Sequence, residues 1–246
     1  MEKATAMIYG FHAIDARLRY KPESVQMLYV AAQRKDSRVQ QLLALAKQHA
    51  LKYELVEETV LNTLSGRAAH QGMLAMVKPC LVAKDLCQLL AQRPQLLLIL
   101  DGITDPHNLG ACLRVADAMG VDAVIAPKDR AVGLNATVAK VACGAAETVP
   151  YLSVTNLART LRTLKQAGIW LVGADMDSDT ELFNFELAAP LAWVMGAEGH
   201  GLRRLSREHC DYRVRIPMFG TVQSLNVAVA TGICLAHSRR QQCLPT

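Results

Sequence analysis

No apolar run of membrane length occurs in this 246-residue sequence, and no secretory-type apolar stretch follows its first residues, MEKATAMIYG. Those two absences lead us to expect a cytoplasmic protein. The seven cysteines form no C-x-x-C pair and are odd in number, and most stand in apolar segments, as reduced core thiols do. The seven histidines show neither H-x-x-x-H nor Cys/His ligand spacing, which argues against a bound metal. Internal repeats and low-complexity segments are also missing. A net charge of +5 permits a polyanionic partner without requiring one. What is present is a globular composition, 51% apolar and 20% charged, long enough for one large or two modest domains.

Residues 1–78 have the texture of a small α/β unit. Helices are expected at 10–20, 37–49 (Val39, Leu42, Leu43 and Ala46 at helical spacing) and 57–64, with strands at 25–30, 53–56 and 72–77. The cluster Arg34-Lys-Asp-Ser-Arg38 either meets phosphates or forms a solvated turn, and His70-Gln71 either contacts a base or completes a polar turn. Residues 79–93 form a connector with its own helix at 84–92. Its lack of a Gly/Ser run implies a semi-rigid join.

From residue 94 to 246 strands alternate with helices, the pattern of a parallel α/β sheet. The continuous apolar run 96–100 is expected to be a strand covered on both faces. Helices are expected at 110–119, 136–143 and 157–167, the last capped by Thr155, and strands at 121–126, 149–154, 169–173 and 191–195. The segment 175–180 is a polar stretch. The chain closes with a strand at 214–216 stopped by Pro217, a loop, and a nearly all-apolar helix from 225 with Ser224 at its N-cap.

Ligands of parallel sheets gather outside the carboxyl ends of the strands, and three loops there are chemically unusual. The first, residues 101–110, leads into a small-residue helix that bears Asn108 near its start and Arg114 further on. An arginine half-buried on such a helix needs an acidic partner, Asp117 for instance, or an anionic ligand. The second, residues 195–201, carries glycines in the order G-x-x-G-x-G, not the dinucleotide order G-x-G-x-x-G, so a nicotinamide-dependent oxidoreductase is disfavoured. In the third, Ser224 and Asn226 flank Leu225 at the first turn of a buried helix. They are either a cap and a satisfied asparagine or functional groups.

Taken together, N-L-G-A-C-L-R (108–114), G-A-E-G-H-G (196–201) and I-P-M-F-G-T-V-Q-S-L-N-V (216–227) resemble the three motifs of the SpoU/TrmH family. These are S-adenosylmethionine-dependent RNA ribose 2′-O-methyltransferases of the SPOUT superfamily. The wording D-G-I-T-D-P-H-N-L-G-A-C-L-R and L-N-A-T-V-A-K-V-A-C-G-A-A-E is similar to the branch that modifies a guanosine of large-subunit ribosomal RNA. The resemblance implies a trefoil-knotted C-terminal α/β domain at 94–246, a ribosomal-protein-like α/β substrate-binding domain at 1–78, and a homodimer. It further implies that backbone groups of Gly196, Ile216 and Leu225 hold the methyl donor. The positions matching polar active-site residues are Asn108, Arg114, Glu198, Ser224 and Asn226, and no metal is needed.

A ribose hydroxyl is a poor nucleophile and a sulfonium methyl is already activated, so the protein must align the two and manage the hydroxyl proton. A guanidinium stays protonated to pH values above about 12, so Arg114 is expected to orient substrate and stabilise developing oxyanion charge rather than act as a base. Glu198 is expected to orient Arg114 or Asn108. Two rivals keep the fold: an enzyme acting on transfer RNA, and a non-catalytic ribosomal-RNA-binding module.

Overall fold

A computed structural model describes residues 6–66, 70–78, 85–186, 189–197 and 201–243. Residues 79–84 of the connector and Glu198 lie outside the described residues. The chain divides into two compact units, Met1–Leu81 with Leu134–Thr148, and Val82–Gly133 with Val149–Thr246.

The first unit holds a four-stranded sheet of order β1–β4–β2–β3, made from β1 (Ala6–Tyr9), β2 (Val25–Ala31), β3 (Tyr53–Val56) and β4 (Met73–Val77). Strands β2 and β3 run parallel, while β4 is antiparallel to both of its neighbours. The sequence expectation holds three of these strands. Strand β1 escapes it because four residues, AMIY, are too few to show a period. Helices α1 (Phe11–Tyr20), α2 (Ser37–Gln48) and α3 (Glu58–Leu64) complete the N-terminal part. Helix α2 begins where the Asp36 carboxylate accepts the N–H groups of Arg38 and Val39, and its stripe Val39, Leu42 and Ala46 is buried.

The second unit opens with α4 (Leu86–Ala91), capped by Asp85, followed by β5 (Leu96–Asp101), α5 (Pro106–Ala118) and β6 (Ala123–Pro127). All six residues of β5 are buried, as its unbroken apolar run requires. Helix α5 starts four residues before its expected position, because Asp105 caps it and Pro106 stands at its first position, where no N–H is missed. The next two helices, α6 (Ala136–Val141) and α7 (Ala145–Thr148), belong to the first unit, whereas the sequence expectation runs the second domain unbroken from 94. There α7 places Glu147 in an ion pair with Arg17 of α1, both side chains 4% exposed. Arg17 also donates to Ser24 Oγ (3.0 Å) and to the Lys78 carbonyl (3.1 Å). Burial pushes the Glu147 carboxyl above its ordinary range, and the Arg17 charge opposes that rise.

Then follow β7 (Tyr151–Val154), α8 (Leu157–Gln166), β8 (Trp170–Ala174), β9 (Leu191–Gly196), α9 (Arg204–His209), β10 (Tyr212–Val214) and α10 (Val227–Cys243). Asn156, not Thr155, caps α8 by accepting the Arg159 N–H. The sheet order is β10–β8–β9–β5–β6–β7, with every pair parallel. One core layer joins Leu97, Ile99, Ile125, Leu171 and Val194 of the sheet to Leu161 and Leu164 of α8. Helix α10 packs on α5 and β9, and fully buried Trp193 donates its indole N–H to Ser238 Oγ at 2.8 Å.

Candidate active site

Strands β10, β8 and β9 are neighbours and parallel, so their carboxyl ends open on one side of the sheet. A cavity of about 410 Å³ lies there, within the range of small-molecule sites. Its lining includes apolar Met195, Ile216, Leu225 and Val227 and charged Asp175, Asp177 and Arg207. The expected donor-site residues Gly196, Ile216 and Leu225 all line it, and so does Ser224.

Gly196 is where the backbone leaves no room for a side chain. A Cβ there would stand 2.1 Å from the carbonyl carbon and oxygen of Gly201 and 2.4 Å from the Leu202 nitrogen. The chain closes tightly at this point: Ala197 and Gly201 form an antiparallel bridge, and the Gly201 N–H donates to the Ala197 carbonyl at 2.9 Å. Gly196 thus serves close backbone approach. The loop is pinned from below by Asp101, 1% exposed at the end of β5, which accepts the Arg203 N–H (3.3 Å) and pairs with the Arg203 guanidinium (3.3 Å).

The return segment departs from expectation in two respects. Strand β10 is Tyr212–Val214, two residues earlier than expected, and Arg215 instead bridges to Glu181, with an ion pair at 2.9 Å. Ser224 is not the cap of the last helix, since α10 begins at Val227. Asn226 takes that role: its Oδ1 accepts the Ala228 N–H at 2.9 Å, and its carbonyl accepts the Ala230 N–H. Its Nδ2 donates to Asn108 Oδ1 at 2.8 Å, which ties the start of α10 to the first turn of α5 across 118 residues of sequence. Ser224 is therefore left exposed at the cavity wall.

Arg114 is exposed on α5, not half-buried, and does not line the cavity. So the structure joins Asn108 to Asn226, gathers Gly196, Ile216, Ser224 and Leu225 around one cavity, and holds Arg114 at the surface. Glu198 lies outside the described residues.

The charged part of the lining is what the sequence expectation missed. Asp175, its side chain 3% exposed, accepts from Arg207 at 3.0 Å and Arg213 at 3.2 Å, and Arg207 also reaches Asp177 at 3.1 Å. The available signal was position: Asp175 directly follows β8, at the carboxyl end of a parallel strand, where ligand-facing acids collect. A cavity lined by both apolar and charged side chains suits a ligand that carries a flat ring as well as polar or charged groups.

The family model "SpoU rRNA Methylase family" matches residues 95–236, more than half of the chain, and "RNA 2'-O ribose methyltransferase substrate binding" matches residues 7–80. The chain belongs to the SpoU methylase family. Among its relatives, "23S rRNA (guanosine-2'-O-)-methyltransferase RlmB" of Neisseria meningitidis serogroup B is 55% identical over 240 residues, 96% of each chain. The protein of the same name from Escherichia coli K12 is 52% identical over 239 residues, covering 96% of this chain and 98% of that one. Among solved structures, an RNA 2′-O ribose methyltransferase superposes with a TM-score of 0.82 at 28% identity, covering 98% of this chain and 90% of the other. The SpoU methyltransferase AviRb from Streptomyces viridochromogenes, in complex with AdoMet, does so with a TM-score of 0.81 at 26% identity, covering 98% and 91%. This SpoU-family chain thus carries both of the family's parts, and the cavity falls within the methylase match.

Proposed function

We propose that this SpoU-family enzyme transfers a methyl group from S-adenosylmethionine to the ribose 2′-hydroxyl of a guanosine in 23S ribosomal RNA. The observation that carries this reading is the cavity at the ends of β8, β9 and β10, walled by Gly196, Ile216 and Leu225 of the expected donor motifs. Its volume and its apolar lining residues fit a nucleoside-like ligand, and the charged residues Asp175, Asp177 and Arg207 of its lining fit the amino-acid end. When bound, S-adenosylmethionine supplies a sulfonium methyl that is already electrophilic, so the proposal calls on no metal.

The chain's own groups divide the remaining work. Backbone at Gly196, Ile216 and Leu225 holds the donor. Ser224, exposed at the wall, orients the acceptor hydroxyl by a hydrogen bond. Asn226 and Asn108 fix one another and hold the Ser224–Asn226 turn against α5. Arg114, accessible on the surface, offers a planar fork to an RNA phosphate or to the oxygen that gains negative charge. Glu198 orients Arg114 or Asn108.

The same reading makes the protein a homodimer with the trefoil knot of its superfamily, working in the cytoplasm. Phe219 (94% exposed), Val222 (60%) and Val229 (51%), on the loop before α10 and on α10 itself, support a second copy covering this region. No described helix is long and apolar enough to cross a membrane. The first unit, within its match to the substrate-binding family, presents the RNA.

The test is to map 2′-O-methyl groups in unmodified 23S ribosomal RNA after incubation with the protein and S-adenosylmethionine. One new 2′-O-methylguanosine is expected, undiminished by a chelator. Absence of transfer, loss of activity with chelator, or displacement of the donor by NAD sinks the proposal.

A further inference from the structure

Three short segments of the first unit meet at one end of its sheet. They are Gly10 between β1 and α1, residues 32–36 between β2 and α2, and His70-Gln71-Gly72 before β4. Backbone bonds lace them together: the Ala31 N–H donates to the Gly72 carbonyl at 2.9 Å and the Gly10 N–H to the Met73 carbonyl at 3.4 Å. His70 is 5% exposed and faces inward, with Nδ1 accepting the Gly72 N–H (3.0 Å) and Nε2 meeting Asn62 Oδ1 (3.1 Å). The first bond makes Nδ1 the acceptor, so the ring proton is on Nε2 and both nitrogens are occupied. His70 thus holds the turn and contacts no ligand. It keeps Gln71 and Gly72 in consecutive left-handed conformations, φ 53 and 73, and Gln71 is exposed.

This scaffold carries two groups of side chains, Gln71 with Arg34 and Phe11 with Arg38 and His12, which adjoin where Gly10 precedes Phe11. Gln71 lies over Gly10, where a Cβ would stand 3.3 Å from its Oε1. Arg34 lies over Gly72, donates to the Gln71 carbonyl, and pairs with Asp36 at 2.7 Å. The Arg38 guanidinium sits 5.5 Å from the centre of the Phe11 ring, and the His12 ring stands edge-on to Phe11 at 5.2 Å and 77°. Lys35, Arg38 and His12 are exposed, and Phe11 and Arg34 are half-exposed. Asp36 is paired with Arg34 and caps α2, which leaves Lys35 and Arg38 as the uncancelled charges of these segments.

Exposed cations beside a part-exposed aromatic–guanidinium stack match one chemistry. The cations suit phosphates, while the planar groups suit the face of a base. In a duplex each base face is already covered by its neighbours, so only an unpaired nucleotide supplies both groups at once. We infer that Phe11, His12 and Arg38 form a stacking platform for one unpaired nucleotide of the RNA substrate, with Arg34 and Lys35 on the flanking phosphates and Gln71 at the base edge. The inference rests on the proposed RNA methyltransferase function and goes beyond it by naming where and how the first unit grips single-stranded RNA.

The test uses the full chain and two RNAs, a 2-aminopurine-labelled single strand of mixed sequence and the blunt duplex of the same length. Wild type binds the single strand more tightly and changes 2-aminopurine fluorescence. Phe11→Leu, which keeps apolar volume and removes the π face, lowers single-strand affinity about tenfold, the loss of one stacked base, and leaves duplex affinity within about twofold. Phe11→Tyr retains binding, and the exposed Arg38→Ala repeats the loss without a core substitution. S-adenosylmethionine affinity, unchanged in all three variants, reports that the protein is folded. Equal wild-type binding of the two RNAs, equal loss on both in Phe11→Leu, or wild-type binding in Phe11→Leu and Arg38→Ala overturns the platform. Methyl transfer that persists beside such a result leaves the proposed function standing. A platform that behaves as described in a protein unable to methylate any RNA overturns the function alone.

Discussion

A single methyl group at Gly196 tests whether the cavity is the donor site. In Gly196→Ala the new Cβ would lie 2.1 Å from the Gly201 carbonyl atoms, where ordinary contact begins at 3.4 Å, so something must retreat by about 1.3 Å. The three nearest atoms are all backbone, at Gly201 and Leu202, so no side-chain rotation relieves the overlap. Overpacking of this kind costs about 1–3 kcal/mol, and here the displaced segment is itself a cavity wall. We expect S-adenosylmethionine affinity, measured by calorimetry, to fall about 10- to 100-fold, with a lowered Tm. Two controls separate packing from backbone freedom. Gly201→Ala has open space but a left-handed φ of 62, so it should cost about 1–2 kcal/mol of stability with little effect on the donor. Gly220→Ala, with nothing within 4 Å, should be neutral. Wild-type donor affinity and an unchanged Tm in Gly196→Ala would refute the reasoning.

Arg114→Ala should leave donor affinity unchanged and slow single-turnover methylation by about 10² to 10³, with little rescue by Arg114→Lys, because a point charge does not reproduce the planar fork. Near-wild-type rates would make the arginine structural. Arg17→Met should destabilise the first unit by about 3–5 kcal/mol in denaturant titration, since it leaves Glu147 buried and unpaired, while Arg17→Met with Glu147→Leu should recover most of that loss. Because burial raises the Glu147 pKa above 4.5, the folded state binds that proton more tightly than the unfolded chain, so this group's contribution to stability is lost as pH rises from 4.5 through the raised value. Glu147→Gln should flatten that part of the stability profile. Exposed Cys87 and Cys143 should label with a thiol reagent in the native protein, whereas buried Cys234 and part-buried Cys210, both thiols pushed up to about 12, should label only after denaturation.

The second unit was the more legible in the sequence, because its strands are long and apolar and its helices separate them. The run Leu96–Leu100 by itself signals a doubly covered strand, and the glycine order of the loop after β9 by itself argues against a dinucleotide fold. Errors gathered where a neighbour of similar chemistry competes for one local task. Thr155 and Asn156 both suit an N-cap, as do Ser224 and Asn226; the second of each pair is the cap, and Asn226 is also bonded to Asn108. Strand β1 and the membership of α6 and α7 in the first unit depend on contacts across more than 60 residues, which no local pattern encodes. The segment 175–180 reads only as a polar stretch in the sequence, because Asp175 acquires its meaning from Arg207 and Arg213, more than 30 residues later. At Arg114 the expectation of burial failed because a helix of small residues can still turn one position to solvent.

The geometry of Asn226 separates roles that the Ser-Leu-Asn triplet presents as one motif. Its Oδ1 is taken by the first turn of α10 and its Nδ2 by Asn108, so both ends of the amide are engaged within the chain. In the proposed mechanism Asn226 is therefore a positioning residue. It fixes where α10 starts, and through Asn108 where the first turn of α5 lies. Leu225 precedes it and faces the cavity, while Ser224, one residue earlier, is the hydroxyl left exposed there. A helix N-terminus therefore anchors one residue, the cavity lining takes the next, and the third is free to meet an acceptor. Moving the cap by two residues, as a serine cap would, shifts the helix start by about 3 Å at 1.5 Å per residue and withdraws that hydroxyl into the backbone. An asparagine cap at 226 is thus what leaves the serine hydroxyl exposed at the cavity, where the proposed mechanism uses it.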